Sequence, residues 1–180
     1  MKPVAILLAS LFYTVHTFAV DINGWKYGIS LDNKANVKSS ASFEVDSPRL
    51  FGEMRAYSLI LSLSSQTLNA RDGNGDYLSV LPVRIMMESR NSLYKDIVSS
   101  YIRLGVGWTF ASDKLIHTNK GYFILPFMMG IDIFHTEFYD QTYGSFFIQV
   151  SDDFNFVKSS DGFARDLNGT TLSGGVRIFY

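Results

Sequence analysis

Asp72, Asn74 and Asp76 alternate with glycines in a short polar stretch, and their side-chain oxygens are of the type that binds calcium. An EF-hand loop begins with this spacing and ends with a bidentate carboxylate at its twelfth position. Here the twelfth position would be Val83, whose side chain has no oxygen. A glycine-rich turn between two strands explains the same residues, so the sequence predicts neither a metal nor another cofactor.

Histidine-assisted catalysis is the second chemistry that the residue types allow. It needs a serine or cysteine nucleophile within reach of the imidazole, and the chain contains no cysteine. His117 is followed by Thr118-Asn119 and His135 by Thr136-Glu137, so neither has a serine in the adjoining positions. We interpret both as ordinary loop histidines and expect the chain not to be an enzyme.

Five charged residues lie in stretches where every second residue is apolar, and each occupies the polar parity. They are Arg84, Glu88, Arg103, Asp132 and Arg177. Gly105, Gly107 and Gly130 share that parity, and mid-strand glycines weaken a solvent-exposed strand but make room inside a narrow barrel. The pattern therefore favours an inward, charge-paired face over the alternative of a solvated outer face.

Period-two alternation recurs along the chain and predicts the strands that position these residues. Turn signals separate eight such strands. They are approximately 23–32, 38–46, 49–65, 76–90, 97–111, 121–135, 143–157 and 170–180. Long polar links at 66–75, 112–120 and 158–169 alternate with shorter ones at 47–48, 91–96 and 136–142, which is typical of barrels with loops at one rim and tight turns at the other.

Composition and the N-terminus narrow the class of protein further. Aromatic residues make up 15% of the chain and charged residues only 18%, below the roughly one quarter of soluble domains, while a net charge of -1 gives no reason to expect nucleic acid. Residues 1–19 read as an export signal cleaved after Ala19, which leaves 20–180 as the barrel domain. No later stretch could form a membrane helix, so a membrane would have to be crossed by strands.

Aromatic side chains share the apolar parity and lie mostly toward strand ends. They are Trp25, Tyr27, Tyr57, Trp108, Phe110 and Phe123. This placement indicates the interfacial girdles of a membrane barrel, although core aromatics of a soluble β-protein would show the same parity.

The last strand carries a resemblance to a known family. Leu172, Val176, Ile178 and the terminal aromatic Tyr180 share one parity of the strand, which resembles the final strand that the barrel-assembly machinery recognises in bacterial outer-membrane proteins. With the export signal, the chain resembles the small eight-stranded barrels of the OmpA and OmpX type. The resemblance implies an all-β fold: a single antiparallel up-and-down transmembrane β-barrel, surrounded by lipid in the bacterial outer membrane.

Three functions remain open at this point. The first is a non-enzymatic barrel with a side-chain-filled lumen, which acts in envelope integrity or binds an extracellular partner through loops 66–75, 112–120 and 158–169. The second is a narrow channel for small solutes. The third is a lipid-modifying enzyme, but the lipid A deacylases carry a His-x-Ser-Asn motif that neither His117 nor His135 matches. A soluble barrel of lipocalin type competes at the level of the fold.

Overall fold

Eight strands follow one another along the chain in a computed structural model, which describes residues 24–34, 37–48, 57–68, 78–94, 97–113, 118–139, 142–155 and 169–179. The strands are β1 (Lys26–Lys34), β2 (Val37–Asp46), β3 (Tyr57–Leu68), β4 (Leu78–Tyr94), β5 (Val98–Asp113), β6 (Thr118–Tyr139), β7 (Thr142–Asn155) and β8 (Thr171–Phe179). Within the described residues, no helix is long and apolar enough to cross a bilayer.

The strands form a closed barrel in which each pairs with the next in an antiparallel sense and β8 pairs with β1. This confirms the predicted up-and-down antiparallel barrel of eight strands. Followed once around the barrel, the registers return to the starting strand displaced by about ten residues, a stagger that requires the strands to tilt by roughly 40° from the axis.

The two ends of the barrel are here called the terminus end, where β1 begins and β8 ends, and the loop end opposite. At the loop end only residues 35–36 separate the described ends of β1 and β2, a link for which the sequence analysis gave no length. The predicted start of the third strand, 49–56, lies outside the described residues.

The expected loop boundaries also need correction, because the strands extend beyond their apolar positions. β3 continues to Leu68, inside the predicted loop 66–75, while β5 continues to Asp113 and β6 begins at Thr118, inside the predicted loop 112–120. The sequence is mostly polar in these stretches, so the period-two signal ends although the hydrogen-bonded ladder continues. The predicted loop 158–169 lies outside the described residues except for Gly169, whose φ of 131° suits a turn before β8.

The barrel wall is apolar outside and polar inside. On β5, Leu104 and Trp108 are about half exposed on the outer face, whereas Arg103 is completely buried on the inner face. The same division holds on β8, where Val176 and Ile178 are exposed and Arg177 is buried. Since eight strands enclose a space that side chains can fill, the chemistry of this molecule lies within its lumen.

Candidate functional site: the lumen

The terminus half of the lumen contains a group of charged side chains that we call the ion network. Its four cations and four carboxylates come from six of the eight strands. Its members are Lys26, Glu44, Asp46, Glu88, Arg90, Arg103, Asp132 and Arg177. All but one of these side chains are fully buried, and Arg90 is nearly so. The charges balance, as a narrow space of low dielectric requires.

Arg103 on β5 joins three carboxylates from two other strands. Its Nη1 donates to Glu44 Oε2 at 2.5 Å, and its Nη2 lies 3.3 Å from Asp46 Oδ2. Its Nε donates to Glu88 Oε2 at 2.8 Å. The guanidinium thus links β2 to β4 across the lumen.

Arg177 on β8 closes the other side of the same network. Its Nε donates to Glu44 Oε1 at 2.7 Å, and its Nη1 donates to Asp132 on β6. Arg90 on β4 bonds to Asp132 as well and donates from Nε to Glu88 Oε1 at 2.8 Å. Every carboxylate of the network therefore accepts from at least one cation.

Tyr101 lies at the centre of the network and is almost completely buried. The guanidinium carbons of Arg90, Arg103 and Arg177 lie 5.0, 4.6 and 4.9 Å from the centroid of its ring. Its hydroxyl donates to Gln149 Oε1 at 3.0 Å. Three cations stacked around one aromatic ring fill the space that water would otherwise occupy.

A second polar group, here called the serine relay, crosses the lumen nearer the loop end. Arg84 donates to Asp153 from Nε at 2.9 Å and from Nη2 at 2.5 Å, and its Nη1 donates to Ser64 Oγ at 2.6 Å. Ser64 lies 2.8 Å from Ser42 Oγ, which donates to Asp32 Oδ2 at 2.5 Å. The relay connects β1, β2, β3 and β4 to β7.

A partial apolar layer lies between the two polar groups, on the side of the lumen formed by β3, β4 and β6, whereas Ser30 on β1 and Gln149 on β7 face the lumen at a similar height. Ile60, Met86 and Met128 are buried together, and Met86 lies on β4 midway between Arg84 of the relay and Glu88 of the ion network. A second apolar cluster of Val80, Ala111 and Tyr122 lies near the loop end, on strands β4 to β6. The lumen is thus closed in layers of different chemistry.

The five charged residues singled out in the sequence are all buried in the lumen. Glu88, Arg103, Asp132 and Arg177 lie together in the ion network, whereas Arg84 lies in the serine relay. Arg84 pairs with the inward carboxylate of Asp153, which the sequence had not singled out, and not with Glu88 or Asp132. Strand register decides such pairings, and one sequence does not contain it.

Sequence reasoning missed Lys26, Glu44, Asp46, Arg90 and Asp153. The parity signal could have found two of them, since Glu44 and Asp46 flank the apolar Val45 on the polar parity of β2. That strand was read from few apolar positions, and its charges were therefore not assigned to a face. Lys26 begins β1, and Arg90 is the last residue of the predicted strand 76–90, where alternation is weakest.

The six aromatic residues of the predicted girdles are exposed on the outer face. They are Trp25, Tyr27, Tyr57, Trp108, Phe110 and Phe123. The first three lie at the terminus end and the last three toward the loop end, where the rings of Trp108 and Phe123 meet edge to face at a centroid distance of 6.5 Å.

The predicted assembly signal and the other candidate sites are only partly described. Leu172, Val176 and Ile178 are exposed on the outer face of β8, and Tyr180 lies outside the described residues. His117 and the stretch from Asp72 to Asp76 also lie outside them. His135 lies within β6, so its interpretation as a loop histidine is wrong. Over the parts of the chain that the structure describes, no group of His, Cys, Asp and Glu side chains is arranged to hold a metal ion.

No protein-family model matches the chain, and comparison with characterised proteins by sequence finds no match. Solved structures do match. The N-terminal β-barrel domain of Pseudomonas aeruginosa OprF superposes with a TM-score of 0.56 at 8% identity, covering 88% of this chain and 98% of that chain. Neisserial surface protein A superposes with a TM-score of 0.58 at 12% identity, covering 87% of this chain and 96% of that chain. The chain therefore has the fold of the small eight-stranded outer-membrane barrels.

Proposed function

We propose that the chain is an integral outer-membrane β-barrel without enzymatic activity, and that it acts through its loops or by supporting the envelope. The observation that carries the proposal is the inverted distribution of side chains. Leu61, Ile85, Leu104, Ile148 and Val176 are exposed around the outside of the closed barrel, while the charges lie within. A soluble barrel would expose a large contiguous apolar surface to water in this arrangement, whereas lipid accepts it.

The layered lumen supports a closed barrel over the alternative of a narrow channel. A solute would have to pass the ion network, the layer of Ile60, Met86 and Met128, and the serine relay. The described side chains of these groups bond or pack against one another across the lumen, which supports a closed barrel.

Heat-modifiable gel migration of the outer-membrane fraction tests the membrane assignment. A folded barrel that resists detergent migrates faster when unheated than after boiling, and we expect this shift for the chain expressed in a Gram-negative host. Recovery in the soluble periplasmic fraction with a single band in both conditions would overturn the proposal.

Intact mass of the extracted protein should place its first residue near Val20, and retention of residues 1–19 would contradict the cleaved export signal.

The two roles within the proposal can be separated by shortening one loop. Residues 156–168 can be replaced by a short Gly-Ser turn between β7 and β8, which leaves the described strands unchanged. If this loop binds an extracellular partner, cells that display the shortened barrel should lose the binding shown by cells with the unmodified barrel. The shortened barrel should still show heat-modifiable migration. If the barrel supports the envelope, the shortened form should still restore detergent resistance to a deletion strain.

A further inference from the structure

The apolar outer surface differs in height around the barrel. On β6 the outward apolar residues run from Phe123 to Ile133, whereas on β2 they run only from Ala41 to Val45. With the usual rise per residue and a tilt of roughly 40°, these runs span about 25 Å and about 10 Å along the axis. The run from Leu172 to Ile178 on β8 spans about 15 Å by the same reckoning.

The registers show which outward residues lie at the same height. Asn33 pairs with Leu172, Leu172 with Val150 and Val150 with Met129. From β1 through β8 and β7 to β6, a path along the hydrogen bonds shifts toward the terminus end by about one and a quarter residues per strand. Met129 therefore lies about four residues nearer the terminus end than Asn33, and the β6 residue at the height of Asn33 is Leu125. Both are outward-facing positions, one polar and one apolar.

The ring of outward residues at this level changes character around the circumference. From β7 through β8 and β1 to β3 it is polar or small, and from β4 to β6 it is apolar. Its members, in strand order from β1, are Asn33, Ala41, Ser65, Val83, Trp108, Leu125, Asp152 and Thr170. We call strands β4 to β6 the tall wall and the remaining strands the short wall. The boundary lies on β7, where Asp152 pairs with Phe127 of the tall wall, while the exposed Phe154 beyond it still pairs with Leu125.

Tilting of the barrel in a flat bilayer does not remove this difference. Leu93, Tyr94 and Ile97 are exposed in the β4–β5 hairpin at the terminus end, beyond the pairing of Tyr57 with Ser89. These side chains lie beyond the outward Ser89 and Asn91, so they are separate from the apolar run that ends at Met87. A tilt moves each wall along the membrane normal but does not change the height of its apolar surface, so the difference between the walls remains.

We propose that the barrel thins the bilayer along its short wall, so that the polar zone of the membrane descends to Asn33, Asp152 and Thr170. This inference rests on the proposed membrane location. In a bilayer of uniform thickness, these polar groups would lie in hydrocarbon without hydrogen-bond partners from water, whereas lipids adjust their thickness at modest cost. The surface thus fits lipids that are compressed or have short tails.

Lipid is the occupant that the surface favours over a second copy of the chain. The outward side chains of Ile29 and Val176 continue the exposed apolar surface of the neighbouring strands without interruption. Leu31 is 75% exposed and stands between its register partners Gly174 and Ala41. A single side chain raised above two small neighbours suits fluid acyl chains, which fill the gaps beside it.

Site-directed spin labelling tests the proposal, because the chain has no cysteine to remove. Nitroxides are placed singly at Asn33→Cys and Leu125→Cys, with Tyr27→Cys and Ile131→Cys as a level pair near the terminus end. The barrel is reconstituted in phosphatidylcholine vesicles with 18-carbon tails. Power saturation then measures access of oxygen, which favours hydrocarbon, relative to a nickel chelate, which favours water. We expect a several-fold higher oxygen-to-nickel ratio at 125 than at 33, and equal ratios at 27 and 131.

The outcomes separate this inference from the function on which it rests. High and equal ratios at positions 33 and 125 would overturn the thinning but keep the membrane barrel. Low ratios at both 125 and 131 would overturn the membrane location itself. If position 33 were closed to both reagents and Leu31→Cys formed disulfide-linked dimers, a second copy would cover the short wall and the lipid assignment would be wrong.

A pair of variants gives an independent readout. Asn33→Leu with Asp152→Leu raises the apolar border of the short wall, while Ser79→Leu with Ser112→Leu adds the same side chains on exposed positions of the tall wall. We expect the first pair to raise the midpoint of urea unfolding more in 18-carbon than in 12-carbon lipid, and the second pair to show no such difference. Equal gains for the first pair in both lipids would contradict the proposal.

Discussion

Three of the four carboxylates of the ion network meet at Arg103. Glu44, Asp46 and Glu88 all lie within 3.3 Å of its guanidinium nitrogens, and the residue is completely buried. A buried ion pair adds little stability over an apolar replacement, but removing one partner alone leaves the other charge without compensation. The consequence of changing Arg103 should therefore depend on what else is changed.

Arg103→Met should lower the free energy of unfolding by about 3–5 kcal/mol, because it leaves buried carboxylates without their main cation. Restoring charge balance with Arg103→Met and Asp46→Leu should recover much of the loss, because Asp46 pairs with Arg103 alone among the described cations, whereas Glu44 and Glu88 keep other partners. Urea unfolding in detergent micelles, followed by tryptophan fluorescence, measures both. Equal losses in the single and double variants would show that the cavity left by the side chain, and not the unpaired charge, is responsible.

Two adjacent glycines of β8 provide a matched test of how closely the strands approach. A Cβ added at Gly175 would lie 2.0 Å from the backbone oxygen of Ile29, whereas at Gly174 the nearest atom would be 3.9 Å away. Gly175→Ala should therefore destabilise by about 1–3 kcal/mol, and Gly174→Ala should be neutral. The same urea unfolding experiment compares them, and similar midpoints for the two variants would contradict the registers of β1 and β8.

The outward-facing residues of a strand are as informative about its surroundings as the inward-facing ones. On β5, Leu104 is exposed between the buried Arg103 and the half-buried Gly105. Its partner across the ladder is Met87 on one side and Phe127 on the other. Leu104 lies near the middle of the apolar band, where a lipid environment and a protein core predict different responses to substitution.

Leu104→Arg should cost roughly 2–4 kcal/mol in a bilayer, whereas Leu104→Ala should be mild because lipid tails fill the space. If Leu104 packed in a protein core, its truncation to alanine would cost about 2–5 kcal/mol. Unfolding from vesicles measures both variants. Brominated lipids provide a second check, since they should quench the exposed Trp25 and Trp108. Unquenched emission together with a large penalty for Leu104→Ala would contradict the lipid-facing assignment.

At the level of elements, alternation predicts the strands well and their ends poorly. The runs around Leu104, Phe127 and Val176 placed β5, β6 and β8 correctly, because burial in one direction forces a period of two. β6 nevertheless reaches Tyr139, and β4 reaches Tyr94, in stretches without alternation. Backbone hydrogen bonds extend these strands past the apolar band, and side-chain pattern carries no information about them.

The ion pairs within the lumen could not be predicted from the sequence, for a related reason. Parity assigns a residue to the inner face, but the partner depends on how far each strand is displaced against the next. Arg84 and Asp153 are 69 residues apart in sequence and lie on strands that do not pair with each other. The stagger of the whole barrel brings them together, so the site depends on a property of all eight strands.

At the scale of the whole molecule, the fold tolerates nearly complete divergence of sequence. The chain shares 8% identity with the OprF barrel domain and 12% with Neisserial surface protein A, yet it covers almost the whole of both. An apolar outer face, a lumen filled by side chains and closure without edges constrain residue class at alternate positions, and they leave residue identity free. Such a fold does not by itself specify a function.

The last prediction concerns the closure of the lumen, which three layers provide in series. We expect no steady conductance from the purified barrel in planar bilayers. Arg177→Ala should leave it closed, because Ile60, Met86 and Met128 and the serine relay still block the path. Adding Met86→Ser, Met128→Ser and Arg84→Ala should permit ion passage, since the apolar layer then admits water and the serine relay no longer crosses the lumen. The same preparations must show heat-modifiable migration, so that only folded barrels are counted. Steady conductance from the unmodified barrel would promote the channel, and conductance from Arg177→Ala alone would show that the ion network by itself closes the lumen.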